Sequence, residues 1–215
     1  MKNKIFYVLY IQDTVISQCI DAIRFICNPN EKRLAHITVI GPVFKALGSS
    51  QLEKKNEVMA GQEIEIIGVS KFFSDTQNTV FLDVFCPQLE DIWSKRDYGY
   101  HPHITLYDGS SRELANGLIR LLAEYPLRFS FKPTTLLPLT SKKGQRDFFP
   151  FWETSSSIFN ELYGPSLNVN KISTLSEAER LNLVEKAVMR LNLETSGKIL
   201  KLAPKVPFLS QVSLA

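Results

Sequence analysis

The segment AHITVIGP at residues 35–42 recurs in related form as PHITLYDG at residues 102–109. Both copies are rich in β-branched and aliphatic residues and end at a Gly-containing turn, which is typical of a strand. A strand and a helical segment precede each copy, beginning near residue 4 in the first half and near residue 79 in the second. The repeat therefore predicts two matching strand-helix-strand halves, at residues 4–42 and 79–109.

Two matching halves predict two lobes built from strands and helices. An approximate twofold axis would relate the pseudo-symmetric lobes, and their sheets would face each other across a central cleft. We expect an irregular connection rich in Ser, Lys, Gly and Pro to occupy residues 141–170. The chemistry of the protein is then expected in the cleft between the two halves.

Residues 171–215 are predicted to form a C-terminal helical extension outside the repeat. Ser176 and Glu179 have the spacing of a capping box, and apolar residues follow at helical spacing, namely Leu181, Val184, Val188 and Leu191. This apolar stripe must be buried, so we expect the helix to pack on the body or to bind a protein partner, including a second copy of the chain. Hydrolysis of a small substrate is not expected to need this segment.

The other elements follow from periodicity and from helix and turn signals. Asp13 is expected to cap a helix that ends at Asn28, and Ser110 with Glu113 is expected to open another. A hairpin is predicted over residues 63–85, short helices over 49–59 and 87–96, and strands over 128–131 and 134–139.

Composition and charge narrow the class of protein. The chain has 215 residues, of which 44% are hydrophobic and 22% charged, the mixture expected of a soluble globular protein rather than a collagen-like, disordered or membrane-spanning one. The net charge of +3 falls entirely within residues 171–215, which leaves the first 170 residues neutral. A neutral body argues against long DNA or RNA as the main partner, because such binding needs many cationic contacts.

The cysteines predict a reducing compartment. Cys19, Cys27 and Cys86 are odd in number, widely spaced and outside any Cys-x-x-Cys pattern, so we expect free buried thiols.

The apolar run Ile5–Ile11 is far shorter than the ~18 residues of a membrane span, and no small-residue cleavage site follows it, so we interpret it as a buried strand. The chain is therefore expected to be cytoplasmic, without a membrane partner.

The repeat also brings its His and Thr residues to one surface. Side chains alternate across a strand, so His36 and Thr38 point to the same face, and so do His103 and Thr105. A wet cleft is the easier environment for this face, because buried polar side chains need hydrogen-bond partners. An imidazole titrates near neutrality and suits proton transfer, while a hydroxyl can donate to an anionic oxygen.

Two such pairs facing each other suit an in-line displacement at phosphorus. One His would take a proton from the attacking oxygen, and the other would protonate the leaving oxygen. The two Thr hydroxyls would hold the phosphate between them. This chemistry needs neither a metal nor another cofactor, and the sequence leaves open which His is the base.

With these motifs the sequence resembles the 2H phosphoesterase superfamily, which includes the 2′-5′ RNA ligase-like and cyclic phosphodiesterase proteins. The resemblance covers residues 1–140 and rests on His36-Ile37-Thr38, on His103-Ile104-Thr105, on their 67-residue separation and on the strand-helix order around them. It implies a bilobal α+β fold with a central cleft and metal-independent hydrolysis of cyclic or 2′-5′ phosphodiester bonds. It also implies that the two His transfer protons and that the two Thr hold the phosphate.

Three further residues are candidate substrate contacts. Tyr107 is predicted on the face of His103 and Thr105, where it could stack on a base or bond a phosphate, and Tyr100 flanks the same motif. Lys45 follows the first motif strand and could approach a phosphate. Packing for the tyrosines and a solvated surface for the lysine are the alternatives.

The motifs leave three functions open. The first is a phosphodiesterase acting on a small nucleotide or an RNA end, with a 2′,3′-cyclic phosphate, a 2′-5′ linkage or a cyclic oligonucleotide as substrate. The second is a nucleotide- or RNA-end-binding module that uses the same cleft without turnover. The third is a metal hydrolase with His101 and His103 as ligands, although two ligands without a nearby Cys or carboxylate cluster do not complete a site.

Overall fold

A computed structural model of the protein describes residues 4–31, 33–94, 99–140 and 157–196. Within these ranges the chain is α+β, as the sequence predicts, with seven strands in one sheet and seven helices. The strands are β1 Ile5–Tyr10, β2 His36–Val43, β3 Ile64–Phe73, β4 Asn78–Phe85, β5 His103–Gly109, β6 Phe129–Phe131 and β7 Leu137–Thr140. The helices are α1 Thr14–Cys27, α2 Ser49–Met59, α3 Gln88–Ile92, α4 Arg112–Glu124, α5 Ser157–Tyr163, α6 Val169–Thr174 and α7 Glu177–Thr195.

The strand order in the sheet is β6-β3-β4-β5-β2-β1-β7. The two motif strands β2 and β5 lie at the centre, and each is flanked on its outer side by its own antiparallel partner, β1 or β4. In the described residues β2 and β5 share one registered pair, Ile37 opposite Ile104. The predicted pair of facing sheets is therefore one sheet whose halves meet at this pair.

Helices α1 and α4 pack on strands β3, β4 and β5, and α7 packs on these two helices, so that the three form one helical layer. Ile37, Val39, Ile104 and Leu106 point toward this layer and are at most 1% exposed. They belong to one hydrophobic core that also takes in apolar side chains of the three helices. The opposite side of the motif strands therefore carries the residues that alternate with them, which include the His and Thr of each motif.

Helix α7 confirms the predicted C-terminal helix but not its separation from the body. The Ser176–Glu179 capping box is present, with the Ser176 amide donating to Glu179 Oε2 at 2.8 Å. Val184, Val188 and Leu191 are fully buried in the same core as the motif strands. The reason lies in α1, whose residues from 19 to 27 are all buried, so that the helix needs a second cover besides the sheet.

Three predicted boundaries differ from the observed ones. The N-cap of α4 is Ser111, whose Oγ accepts from the Leu114 amide at 3.1 Å, so the predicted Ser110 capping box is wrong by one residue. Helix α3 ends at Ile92, because Trp93 has an extended backbone, and residues 95 and 96 of the predicted helix lie outside the described residues. Of the predicted irregular connection, residues 141–156 also lie outside the described residues, and α5 occupies part of the remainder.

The three cysteines are free and buried, as the sequence predicts. Asp13 caps α1 by accepting from the amides of Val15 and Ile16, which is also as predicted. Among the described residues, none of the helices has the length and apolar character needed to cross a bilayer.

Candidate active site

The four motif side chains lie on the side of the sheet away from the helical layer. His36 and Thr38 on β2 and His103 and Thr105 on β5 are all half-buried, whereas the residues between them are fully buried. This alternation is the one expected for strands with one face on a core and one face accessible. The accessible face therefore presents both His-x-Thr motifs, as predicted.

The register between β2 and β5 brings the motifs together. With Ile37 opposite Ile104 in an antiparallel pair, His36 falls opposite Thr105 and Thr38 falls opposite His103. In such a pair, directly opposite Cβ atoms are about 5 Å apart and diagonal neighbours about 7–8 Å apart. The two imidazoles are diagonal neighbours in this pattern, with a hydroxyl beside each.

Both catalytic candidates are oriented in the same way by the main chain. His36 Nδ1 lies 2.7 Å from the carbonyl oxygen of Leu34, and His103 Nδ1 lies 2.8 Å from the carbonyl oxygen of His101. A carbonyl can only accept, so in each ring Nδ1 carries a hydrogen and donates it. The nitrogen that gains or loses the catalytic proton is then Nε2 in both halves.

The surroundings of His36 favour its neutral form. The pKa of His36 is lowered to about 4, mainly by burial, with the nearby cations Arg24 and Arg33 acting in the same direction and the hydrogen bond to Leu34 opposing them. The ring of Tyr10, opposite His36 on β1, packs edge-on against the imidazole with 6.0 Å between ring centroids. At neutral pH the side chain is therefore an uncharged imidazole able to accept a proton.

The charged groups around His103 differ in sign from those around His36. Asp83 on β4 is registered opposite His103 and is 8% exposed. Its carboxylate accepts a hydrogen bond from Ser70 and lies 3.4 Å from His101 Nε2. The ring of Phe81 packs against His103 with 4.9 Å between centroids. An anionic neighbour thus stands on the His103 side of the site, and cations stand on the His36 side.

The metal alternative finds no complete ligand set. The rings of His101 and His103 are neighbours, 5.6 Å apart between centroids, but His101 Nε2 is directed at Asp83. Among the described residues there is no group of three or more His, Cys, Asp or Glu that could hold a metal ion.

The structure places Tyr107 in the core, so its predicted position on the motif face is wrong. The pairing between β4 and β5 shifts by one residue after Thr105, so Leu106 and Tyr107 both turn toward the helices and are at most 5% exposed. The Tyr107 hydroxyl accepts from the Ser111 amide at 2.9 Å. Gly109 makes room for this ring, because a Cβ there would lie 2.7 Å from Tyr107 Cζ.

The other two candidate contacts are not brought to the motif face by any hydrogen bond or ring contact in the described residues. Tyr100 donates its hydroxyl hydrogen to the Cys86 carbonyl at 2.8 Å and packs edge-on against Trp93 at 5.4 Å. Lys45 is exposed and lies beyond the end of β2 at Val43, about 16 Å of strand away from Thr38 before the loop begins. Tyr100 is 41% exposed despite these contacts, so a substrate contact by Tyr100 or Lys45 stays a prediction.

Three residues near the motifs escaped the sequence analysis. Tyr10 and Asp83 are neighbours of the two His through strand pairing, and strand pairing is not visible in the periodicity of a single strand. Arg24 left a signal that could have been used, since it is a charged residue at a core position of a helix whose last nine residues are otherwise nearly all apolar.

The arrangement can transfer protons on two sides of a bound anion. It offers a neutral imidazole on one motif, a second imidazole near a carboxylate on the other, and a hydroxyl beside each. Comparison of the chain with protein-family models, curated proteins and solved structures found no match.

Proposed function

We propose that the protein is a phosphodiesterase of the 2H type, which hydrolyses a cyclic or 2′-5′ phosphodiester in a small nucleotide or an RNA end without a metal. The observation that carries this proposal is the matched pair of imidazoles on one face. Each His is held through Nδ1 by the carbonyl two residues before it, which leaves Nε2 for proton transfer in both motifs. If only one His-x-Thr motif were functional, there would be no reason for the second His to be oriented in the same way.

The proposal includes two pseudo-symmetric halves around the site. The mirrored strand order β4-β5-β2-β1 supports it, because each half contributes a central motif strand and an outer antiparallel partner. The single registered pair between β2 and β5 supports a shallow cleft where the halves diverge. The substrate would lie across this junction, in contact with both motifs.

The charges around the site support one direction for the proposed proton transfers, with His36 as base and His103 as acid. Neutral His36 accepts a proton from water through Nε2 while the water oxygen forms its bond to phosphorus. The bond from phosphorus to the leaving oxygen breaks, and His103, which enters this step as an imidazolium with hydrogens on both Nδ1 and Nε2, delivers its Nε2 proton to that oxygen. Thr38 and Thr105 donate hydrogen bonds to the two remaining phosphate oxygens, where charge is concentrated during the displacement.

A second candidate function is binding without turnover. The low pKa of His36, about 4, makes this imidazole a weaker base than an ordinary histidine. A site with such a base suits retention of a nucleotide or an RNA end as well as its hydrolysis. Under either proposal the partner is a small phosphorylated ligand in the cytoplasm, since the neutral charge of residues 1–170 does not favour long nucleic acid.

The test is a panel of 2′,3′-cyclic phosphates, 2′-5′ oligonucleotides and cyclic oligonucleotides, incubated with the protein in EDTA and analysed by mass. Ring-opened or cleaved products in EDTA are expected. Binding of a panel member without product would favour the binding module. Turnover that needs added divalent metal would favour the metal hydrolase instead.

A further inference from the structure

Two charged side chains of α1 are buried behind the motif strands. Asp21 is 5% exposed and Arg24 is 6% exposed, and the other buried residues of this helix are apolar. Burial of a charged group is costly unless hydrogen bonds and an opposite charge compensate. Their presence at core positions therefore indicates a structural or functional requirement that an apolar residue would not meet.

Both side chains end on the main chain of the two motif segments. Arg24 Nη1 donates to the carbonyl oxygen of Thr105, and Nη2 donates to the carbonyl oxygen of Arg33 at 3.1 Å. Asp21 Oδ1 accepts from the amide of Ala35, directly before β2, at 2.6 Å. The guanidinium of Arg24 thus joins β5 to the segment that leads into β2.

Strand pairing alone fixes the position of one motif strand relative to the other at only one residue pair. In the described residues β2 and β5 share the single pair Ile37–Ile104, whereas the β4–β5 ladder runs from Asn78 to Asp83. One pair sets a point of contact but leaves the angle between two strands weakly determined. A second attachment between the strands is needed to fix the spacing of side chains on their accessible face.

We propose that Arg24 is the positioning residue that sets the distance between the two His-Thr motifs, by bridging Thr105 on β5 and Arg33 before β2. The consequence for catalysis rests on the proposed phosphodiesterase function, while the bridge itself can be tested without a substrate. Planar guanidinium nitrogens suit this task, since two donors in fixed relation hold two carbonyl groups at once. Asp21 supplies the buried counter-charge and holds the residue next to His36.

Arg24 also contributes to the charge state of His36. The groups that act on the His36 imidazole are Arg24 from α1, Arg33 and Glu31 from the segment before β2, and the Tyr10 ring from β1. Burial has the largest effect on the pKa of His36, and both arginines lower it further while Glu31 raises it. Loss of the Arg24 charge should therefore raise the pKa of His36, whereas loss of its planar geometry alone should not.

Three variants separate these effects. Arg24→Met removes the charge and both donors, and Arg24→Lys keeps the charge but lacks the planar fork. Arg180→Met is the matched control, because Arg180 on α7 also donates to a main-chain carbonyl, that of Ser173 at 3.3 Å. The measurements are kcat and KM on a cyclic phosphate, hydrogen exchange of the amides in β2 and β5, and an NMR titration of His36, one of three histidines in the chain.

Both Arg24 variants are expected to lower kcat about 100-fold with KM within about threefold of wild type, because displacement by about 1 Å is enough to cost this much. Exchange should accelerate at residues 35–38 and 103–106 while the β3–β4 hairpin keeps its protection. The pKa of His36 should rise in Arg24→Met and stay low in Arg24→Lys. Arg180→Met should leave kcat within about threefold of wild type.

The proposal is overturned if a folded Arg24→Met protein keeps wild-type exchange in β2 and β5, or if exchange accelerates there without loss of kcat. If Arg24→Met does not fold, hydrogen exchange in β2 and β5 and kcat are measured on Arg24→Lys, and the same outcomes overturn the proposal. If the wild-type protein hydrolyses no member of the panel, the proposed function fails. Hydrogen exchange then still decides whether Arg24 bridges the two strands.

Discussion

Ile37 lies directly opposite Ile104 where β2 meets β5, and both side chains are fully buried against the helical layer. Because side chains alternate along a strand, this one pair places His36 beside Thr105 and Thr38 beside His103 on the other face. A one-residue slip between the strands would send one His-Thr pair into the core. The pairing of Ile37 with Ile104 therefore determines which His and Thr side chains are neighbours on the opposite face.

Replacement of either motif His is expected to abolish most of the activity. His36→Ala and His103→Ala should each lower kcat by about 10²–10⁴-fold, as expected for loss of a general base or acid. Lys186→Ala is the control and should stay near wild type, since Lys186 is exposed on α7, on the side of the sheet away from the motifs. Circular dichroism and thermal melting establish that the variants are folded. Near-normal turnover in either folded His variant would contradict the assigned roles.

The two Thr hydroxyls are expected to contribute through hydrogen bonds to the phosphate. Thr38→Val and Thr105→Val keep the side-chain shape but remove the donor, and a hydrogen bond to a charged group is worth about 1.5–3 kcal/mol. The ratio kcat/KM should therefore fall by about 10–150-fold in each variant. Thr38→Ser and Thr105→Ser, which keep the hydroxyl, should retain most of the activity. Equal losses in the Ser and Val variants would argue against the hydrogen bonds.

The low pKa of His36 predicts how stability depends on pH. Between the unfolded value of about 6.5 and the folded value of about 4, the unfolded state binds a proton that the folded state does not. Stability due to this group is therefore complete above pH 6.5 and is lost as the pH falls toward 4, by up to about 3 kcal/mol. Urea unfolding of wild type and His36→Gln between pH 7 and pH 4 measures the difference.

The raised pKa of Asp21 cancels from that comparison. Burial raises the pKa of Asp21 to about 6, so this carboxyl stabilises the folded state as the pH falls, opposite in sign to His36. Both proteins contain Asp21, so only the His36 contribution remains in the difference. A pH dependence that is the same in wild type and His36→Gln would show that His36 titrates normally.

Helix α7 is expected to be essential for stability. Leu191→Ala should lower the free energy of unfolding by about 2–5 kcal/mol, because Leu191 is fully buried in the core shared with the motif strands. Leu193→Ala on the same helix is the matched control, since Leu193 is 72% exposed, and it should change stability by less than about 0.5 kcal/mol. Similar melting curves for the two variants would refute the packing role of α7.

A chain truncated after Lys171 is therefore expected not to fold. Its α1 would lose the cover of Val184, Val188 and Leu191, and several fully buried apolar side chains would face water. The sequence alone led to the opposite expectation, that the truncated chain keeps activity on a small substrate. A folded, monodisperse truncated protein, identified by circular dichroism and size-exclusion chromatography, would restore that expectation.

Local sequence patterns were enough to predict much of the secondary structure and the shared face of the four motif side chains. The alternation in residues 36–39 and 103–106 predicted which side chains share a face, and the caps Asp13 and Ser176 predicted where two helices begin. These features depend on neighbouring residues only, so one sequence contains them. The half-buried His-Thr face follows from the same local alternation.

Features that depend on distant parts of the chain were missed. The shift in pairing that turns Tyr107 into the core arises between β4 and β5, and the residues of the motif do not predict it. The cover that α7 provides for α1 joins segments about 150 residues apart, and the bridge from Arg24 to Thr105 joins segments 81 residues apart. Periodicity within a segment cannot report which other segment packs against it.

The two orienting bonds of the site have a consequence for the tolerance of the protein to mutation. The acceptors for His36 and His103 are carbonyl groups of Leu34 and His101, which every amino acid possesses. Substitutions at positions 34 and 101 therefore leave the imidazole tautomers intact, unlike sites in which a carboxylate side chain orients the ring. The orienting bonds themselves thus place no demand on the side chains at these two positions, which answer instead to other contacts, the core for Leu34 and Asp83 for His101.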